Sequence, residues 1–485
     1  MNNTAFTSRA SEYKSSMWLL YIATALILSI TACSPKLSKT PVATPPQASI
    51  ASGKLMVGSP AVKLEIHHIN INNGDASVIR IIHADGTETK VLIDGGQMSA
   101  DERLIPYCNA MFKDVSFKYV ILTHYHNDHY NGLLALGNGK IRGDYYIDLG
   151  GYNMDGFVSG GNLSKIQPAD NTCPWTDTTG IFGGTMSDYI TAVGKAADNF
   201  GLKRYGPMTT ASDKISDLIG VVVPIDTFVI GTKKYPISMR CVALWGFTMG
   251  STGTAVDNWK KGASKNDPCI AFVLECGEFR YFFGGDMGGD PSGSYIDQET
   301  TLAGGFQYLY KGAKSYYNPG VAYDGHVCGF KANHHGSAHS NNSTFLNGMK
   351  PGVCVTSAGS NDGWHLPSID FLNRLNATTP LTPATDIPTY APSFTKAQGF
   401  FFTNLFNFTG GNNSLTVANG LFAARNKTGY QYGNATGNFK RSYQVIVALN
   451  NSVIDFSKKS TYGVVSVDDA FNVSPLLTVI GCHQR

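Results

Sequence analysis

Residues 117–123 are mostly apolar and run straight into His124-Tyr-His126-Asn-Asp128-His129. A buried strand that ends in three imidazoles and a carboxylate narrows the choice of fold sharply. Such groups are costly to desolvate unless something compensates them, and imidazole mixed with carboxylate suits zinc, iron or manganese. His124 and His126, two apart, can reach one ion, while Asp128 and His129 turn towards a second. A solvated polar loop would explain this string alone. It would not explain why Asp94, Asp286, the pair His334/His335 and His365 also stand just past predicted strands. Rigid strands deliver ligands to one edge, and loops let them converge.

The surrounding pattern supplies those strands. Residues 64–71 and 76–82 read as strands joined by the turn Asn72-Asn-Gly-Asp75, and 89–93 ends at Asp94-Gly-Gly. Residues 269–275 and 279–283 form a predicted hairpin ending at Gly284-Gly-Asp286; strands at 327–332 and 353–357 follow. A helix is predicted over 368–375, with Ser368 as N-cap and Asp370 in its first turn. Between them, residues 138–260 are rich in Gly, Asn, Asp and Ser. With one predicted helix (187–200) and one strand (221–230), they read as a loop-rich insertion near the site. Residues 376–485 read as a β-rich C-terminal extension, with strand-like pieces at 399–408, 444–449 and 463–467.

Charge argues against a dedicated nucleic-acid binder. Lys and Arg number 38 against 35 Asp and Glu, and no basic run exceeds a Lys pair. At the N-terminus, Arg9 and Lys14 precede the apolar segment 17–32, which is short for a membrane span. An uncleaved anchor helix is the alternative reading. Ile30-Thr-Ala-Cys33 resembles the lipobox of bacterial lipoproteins. That resemblance implies removal of residues 1–32, lipidation of Cys33 and an extracytoplasmic, membrane-anchored protein of the cell envelope. Residues 33–60, rich in Pro, Ser, Thr and Ala, then form a flexible tether. The eight other cysteines make some disulfides plausible, but eight allow 105 pairings.

The string from His124 to His129 resembles the signature of the metallo-β-lactamase-fold hydrolases. Within them it leans towards the ComEC-type competence proteins. Gly74-Asp75, Asp94-Gly-Gly, Asn266-Asp-Pro-Cys followed by Gly285-Asp286, Ala332-Asn-His334-His335-Gly-Ser337 and Trp364-His365-Leu-Pro carry the likeness, in that order. It implies an α/β fold, a four-layer αββα sandwich over residues 61–375 with the insertion at 138–260. It further implies two divalent metal ions, zinc first and manganese as the alternative. His124 and His126 would hold one ion; Asp128, His129 and His365 would hold the other; Asp286 would bridge. Asp94 would brace the histidine loop from behind. Asp128, His335 and Ser337 would act on the reacting groups, His335 as proton donor or oxyanion binder, with His334 able to replace it.

One departure from the family stands out. The superfamily usually supplies a third histidine to the first ion from between the histidine string and the Gly-Asp motif, and this chain has none from residue 130 to 325. Asn266 or Asp267 is the expected replacement, which would favour harder ions. The reading is thus a metal-dependent hydrolase, of phosphodiesters first. Amides, lactams or esters are the second substrate class, and a surface binding protein on a degenerate body is the third possibility. Nucleic acid is an allowed substrate without support from charge, and the sequence leaves the oligomeric state open.

Overall fold

Near-continuous burial marks the central strands as covered on both faces, and the computed structural model gives the strand order. It describes residues 61–149, 184–205, 215–230, 232–258, 266–290, 295–314, 322–324, 327–358, 366–377, 400–403, 442–447, 462–474 and 478–479. Residues 1–60, including Cys33 and the expected tether, and His365 lie outside the described residues. The strands are β1 (Ala61–His68), β2 (Ser77–His83), β3 (Glu88–Ile93), β4 (Ser116–Ile121), β5 (Arg142–Ile147), β6 (Lys203–Arg204) and β7 (Val222–Ile230). Next come β8 (Lys233–Leu244), β9 (Phe247–Met249), β10 (Ala255–Asp257), β11 (Ala271–Cys276), β12 (Phe279–Phe283), β13 (Lys311–Lys314) and β14 (Ala322–Asp324). The last are β15 (Gly329–Lys331), β16 (Val353–Thr356), β17 (Phe400–Phe402), β18 (Ser442–Val447), β19 (Tyr462–Val467) and β20 (Thr478–Val479). The helices are α1 (Leu104–Phe112), α2 (Asn127–Tyr130), α3 (Gly184–Phe200), α4 (Gln298–Tyr310), α5 (Ser343–Met349) and α6 (Ile369–Ala377).

Pairing divides the strands into two arms. The first runs β20-β19-β18-β1-β2-β3-β4-β5-β6, antiparallel up to β3 and parallel from there. The second runs β7-β8-β11-β12-β15-β16-β17, parallel from β12 onward, with β9 and β10 continuing from the end of β8. A single parallel register, Ala61 with Phe228, links them. β13 and β14 form a separate ribbon.

Three pairs of side chains show how the layers stack. His67 and His68 are neighbours on β1 and so point to opposite faces. His67 Nδ1 meets Tyr107 Oη of α1 at 2.9 Å, whereas His68 Nε2 meets Tyr281 Oη of β12 at 2.8 Å. Phe282, next to Tyr281, stands edge-on to Phe306 of α4, with ring centroids 5.6 Å apart. The sequence of layers is therefore helix, sheet, sheet, helix. This αββα sandwich is the metallo-β-lactamase fold.

Two regions differ from the sequence reading. The stretch 138–260 provides β5 to β10 of the two arms, so its described part is framework more than insertion. On β8 the residues Tyr235, Ile237, Met239 and Cys241 are buried, while Pro236, Ser238 and Arg240 between them, after two lysines, disguise the alternation. The strands of the C-terminal part join the first arm directly, because β18 pairs with β1 from Leu64/Val447 to His68/Tyr443. Of the described cysteines, Cys108, Cys241, Cys269, Cys276 and Cys354 are buried thiols and Cys328 is disulfide-bonded.

Candidate metal centre

Every group in the cluster follows a strand end. β3 delivers Asp94, which has φ +59°. Its Oδ1 accepts from Thr123 N at 2.8 Å, and its Oδ2 accepts from Thr123 Oγ1 at 2.8 Å. The same Oδ2 lies 2.9 Å from His129 Nδ1. Asp94 thus pins the loop after β4 and fixes the imidazole of His129 with Nε2 facing inward. His126 caps the short α2, which carries Asp128 and His129 in its single turn. The turn between β1 and β2 presses on this loop. Gly74 has φ +88°, and a Cβ there would sit 1.7 Å from Asp128 O, so only glycine fits. That contact places Asp75 in the cluster.

The second arm supplies the rest. Asp286 follows β12; its backbone N donates to Cys269 Sγ at 3.1 Å. Asp286 is 2% exposed and lies between the histidines: Oδ2 is 3.6 Å from His124 Nε2, and Oδ1 is 3.4 Å from His129 Nε2. After β15 the chain makes a left-handed turn, with φ +49° at His334, +53° at His335 and +80° at Gly336. His335 Nδ1 donates to Ser357 O at 2.9 Å, leaving Nε2 at 3.2 Å from Asp128 Oδ2 and 3.5 Å from Asp286 Oδ2. His334 Nε2 stands 3.9 Å from Asp286 Oδ2 and 3.1 Å from Asn266 Nδ2.

Two overlapping ligand sets emerge: His124, His126 and Asp286, and then Asp75, His129, Asp286 and His335. Asp128 borders the second set. Asp267 faces away, its Oδ1 accepting from Ile296 N at 3.0 Å. Ser337 Oγ accepts from His339 N at 3.2 Å and so closes the turn behind the histidines.

The donors fit divalent ions. His129 Nε2, His335 Nε2 and Asp286 Oδ1 are buried without a hydrogen-bond partner, although the opposite nitrogen of each ring is engaged. Unpaired buried polar atoms are costly, and lone pairs turned towards one shared space are what a cation takes up. Charge points the same way, since Asp75, Asp286 and Asp94 all act on the buried cation Lys331, which is ion-paired with Asp75, while Asp128 adds a further carboxylate beside His129 and His335. Burial alone would depress His129 and His335. The carboxylates of Asp286, Asp128 and Asp94 outweigh it at His129, and those of Asp286 and Asp75 at His335, holding both well above the usual histidine range.

Sequence reasoning did not single out Asp75, Lys331 or Glu299. Lys331 carries a faint signal, a lone charge in an apolar strand. Glu299, fully buried on α4, carries none, because its partners are remote in sequence. It accepts from Asn333 Nδ2 at 2.8 Å, Asn341 N at 2.6 Å and Asn342 N at 2.6 Å, bracketing the double-histidine turn. Burial pushes its carboxyl up to about 7 against these donors. Arg374 of α6 grips the same loop through the carbonyls of Ser337, Ala338, Ser340 and Asn341. Glu299→Gln turns one acceptor into a donor facing a donor. Metal affinity, measured by chelator competition on folded protein, should fall by about 10–100-fold, as for other groups that orient ligands. Unchanged affinity would show the bracket to be irrelevant to the centre.

Fold and site together define an αββα protein with a candidate divalent-metal centre. Residues 71–191 match the family described as Metallo-beta-lactamase superfamily. A comparison with curated proteins finds no match. Among solved structures, a metallo-beta-lactamase from Pontibacter korlensis is 15% identical with TM-score 0.20, over 53% of this chain and 83% of that one. TMB-1 is 11% identical with TM-score 0.19, over 51% of this chain and 77% of its own. At these scores neither likeness bears on substrate.

Proposed function

We propose that the protein is a metal-dependent hydrolase whose preferred substrates are phosphodiesters. The observation that carries the reading is the place of Asp286, which touches both ligand sets, with Oδ2 beside His124 and His335 and Oδ1 beside His129. Divalent ions held there would supply an acidified water and the neutralisation of charge developing on the attacked group. His124 and His126 with Asp286 hold one ion; Asp128, His129 and His335 with Asp286 hold the other, and His365 remains a further ligand on the strength of the family resemblance. Asp94 and Ser357 orient the two buried rings. Asp128, a quarter exposed at its side chain, is the member of the set that faces incoming substrate. The choice of phosphodiesters rests on the likeness of Asn333–Ser337 to the ComEC-type motif.

The proposal includes location. The lipobox-like Ile30–Cys33 supports an extracytoplasmic lipoprotein, and the disulfide at Cys328 suits an oxidising compartment. To test the activity, the mature protein is assayed on bis(p-nitrophenyl) phosphate, single-stranded DNA and a chromogenic β-lactam. Phosphodiester cleavage is expected, lost on chelation and restored by Zn²⁺ or Mn²⁺. Hydrolysis of the lactam alone would move the substrate class to amides, and activity unaffected by chelation would remove the proposal.

A further inference from the structure

A further pair of rings stands at the mouth of the centre, outside both ligand sets. Side-chain exposure rises from 6% at His335 through 15% at His334 to 47% at His339, so the way out to solvent runs along this turn. We propose that His339 and Tyr295 form a stacking platform for a planar substituent of the substrate, a choice that rests on the phosphodiesterase reading above. The preferred substrates are then small phosphodiesters that carry an aromatic ring or a nucleobase close to the scissile phosphate.

Three observations carry it. First, the two rings stack on each other: the centroids of Tyr295 and His339 are 4.8 Å apart, and their planes lie 21° from parallel. Tyr295 covers one face of the imidazole, and Asp290 Oδ2 holds Nδ1 at 2.8 Å. A side chain still 47% exposed after both contacts turns its other face to solvent, where a planar group can add a third layer. Second, the platform is fixed against the centre. Tyr295 also lies 5.5 Å from the ring of His334, whose Nε2 is 3.9 Å from Asp286 Oδ2. Gly289 N donates to His339 O at 2.8 Å, and His339 N donates to Ser337 Oγ at 3.2 Å. Asp267 Oδ1, accepting from Ile296 N at 3.0 Å, seats the residue after Tyr295. A Cβ on Gly288 would stand 2.6 Å from Ile296 O, so this close approach requires glycine. Such anchoring matters because ordering a mobile ring on binding would offset much of the gain. Third, the platform is short. Two stacked rings receive one planar group, and 38 Lys and Arg against 35 Asp and Glu provide no basic track for a long polyanion. A ring carried near a single phosphate fits these features better than a polymer does.

The test uses purified, metal-loaded full-length protein and two esters with the same leaving group, bis(p-nitrophenyl) phosphate and methyl p-nitrophenyl phosphate. Only the first keeps a ring on the part that is not cleaved off. Wild type should show the lower KM for this aryl ester. His339→Ala should raise that KM at least about fivefold, the low end of what one base–aromatic stack contributes. The changes in kcat and in the KM for the methyl ester should be much smaller, as for a contact equally strong in ground and transition states. His339→Phe, which can stack without hydrogen bonding, should restore the preference. Adenosine monophosphate should inhibit wild type more strongly than ribose 5-phosphate does, and the gap should close in His339→Ala. Circular dichroism and metal content verify each variant, and Tyr295→Leu, with the same expected loss, serves if the alanine form does not fold. Equal KM values for the two esters in wild type, or a preference that survives in His339→Ala, overturn the platform and leave the hydrolase reading standing. A far lower KM for single-stranded DNA than for either ester overturns the assignment to small esters. Cleavage of neither ester by the metal-loaded wild type removes both.

Discussion

Asp286→Ala should leave a folded protein that retains little metal and hydrolyses bis(p-nitrophenyl) phosphate at least about a thousandfold more slowly. One oriented electrostatic contributor typically accounts for 10²–10³ in rate, and Asp286 is more than one contributor. Its two oxygens face His124 and His129 at 3.6 and 3.4 Å, with His335 a further neighbour at 3.5 Å, so a single truncation dismantles both ligand sets. It also removes the carboxylate that raises His129 and His335 above the usual histidine range. Metal content and initial rates, measured on the same preparation, check the result. Full activity with undiminished metal would mean that catalysis occurs elsewhere.

The second large effect is on stability. Lys331 and Asp75 are each 2–4% exposed and form an ion pair between the two arms. Breaking a buried pair by removing one partner typically costs about 3–5 kcal/mol, since the survivor keeps its desolvation penalty without compensation. Lys331→Met should therefore lower the unfolding free energy by about that much in urea titrations at fixed metal supply. The double variant Asp75→Asn/Lys331→Met should recover part of the loss, because neither charge is then stranded. A loss below about 1 kcal/mol in the single variant would show that the pair behaves as a solvated surface contact. The experiment also bears on Asp75 as a ligand, since Lys331 holds Oδ2 and leaves Oδ1 buried without a hydrogen-bond partner.

Much of the centre could be read from the chain because its chemistry is concentrated. His124 to His129 form one contiguous string behind an apolar strand, and Asp94 and Asp286 each follow a Gly-flanked strand end. His335 was visible as a residue but not in its geometry. Strand logic sends one of two adjacent histidines away, and only the left-handed backbone at 334 and 335 overrides it. Glu299 illustrates what local pattern cannot convey. It lies in an unremarkable helical stretch, and its function comes from partners 34 to 43 residues further along the chain. β8 was within reach of the sequence, because Tyr235, Ile237, Met239 and Cys241 alternate with polar residues at the spacing of a half-buried strand. The abundance of Gly, Asn and Asp on either side masked it.

The pairing of β1 with β18 sets a schedule for the molecule. β1 belongs to the earliest described segment, yet from Leu64 to His68 its outer edge pairs with β18, and Asn70 N donates to Ser442 Oγ across 372 residues. An open edge is a template for unwanted partners, and contacts so distant along the chain form late. Until the last strands emerge from whatever machinery produces or exports the polypeptide, the sandwich remains unlatched. A nascent chain would therefore depend on being shielded from its neighbours for almost the whole of its synthesis.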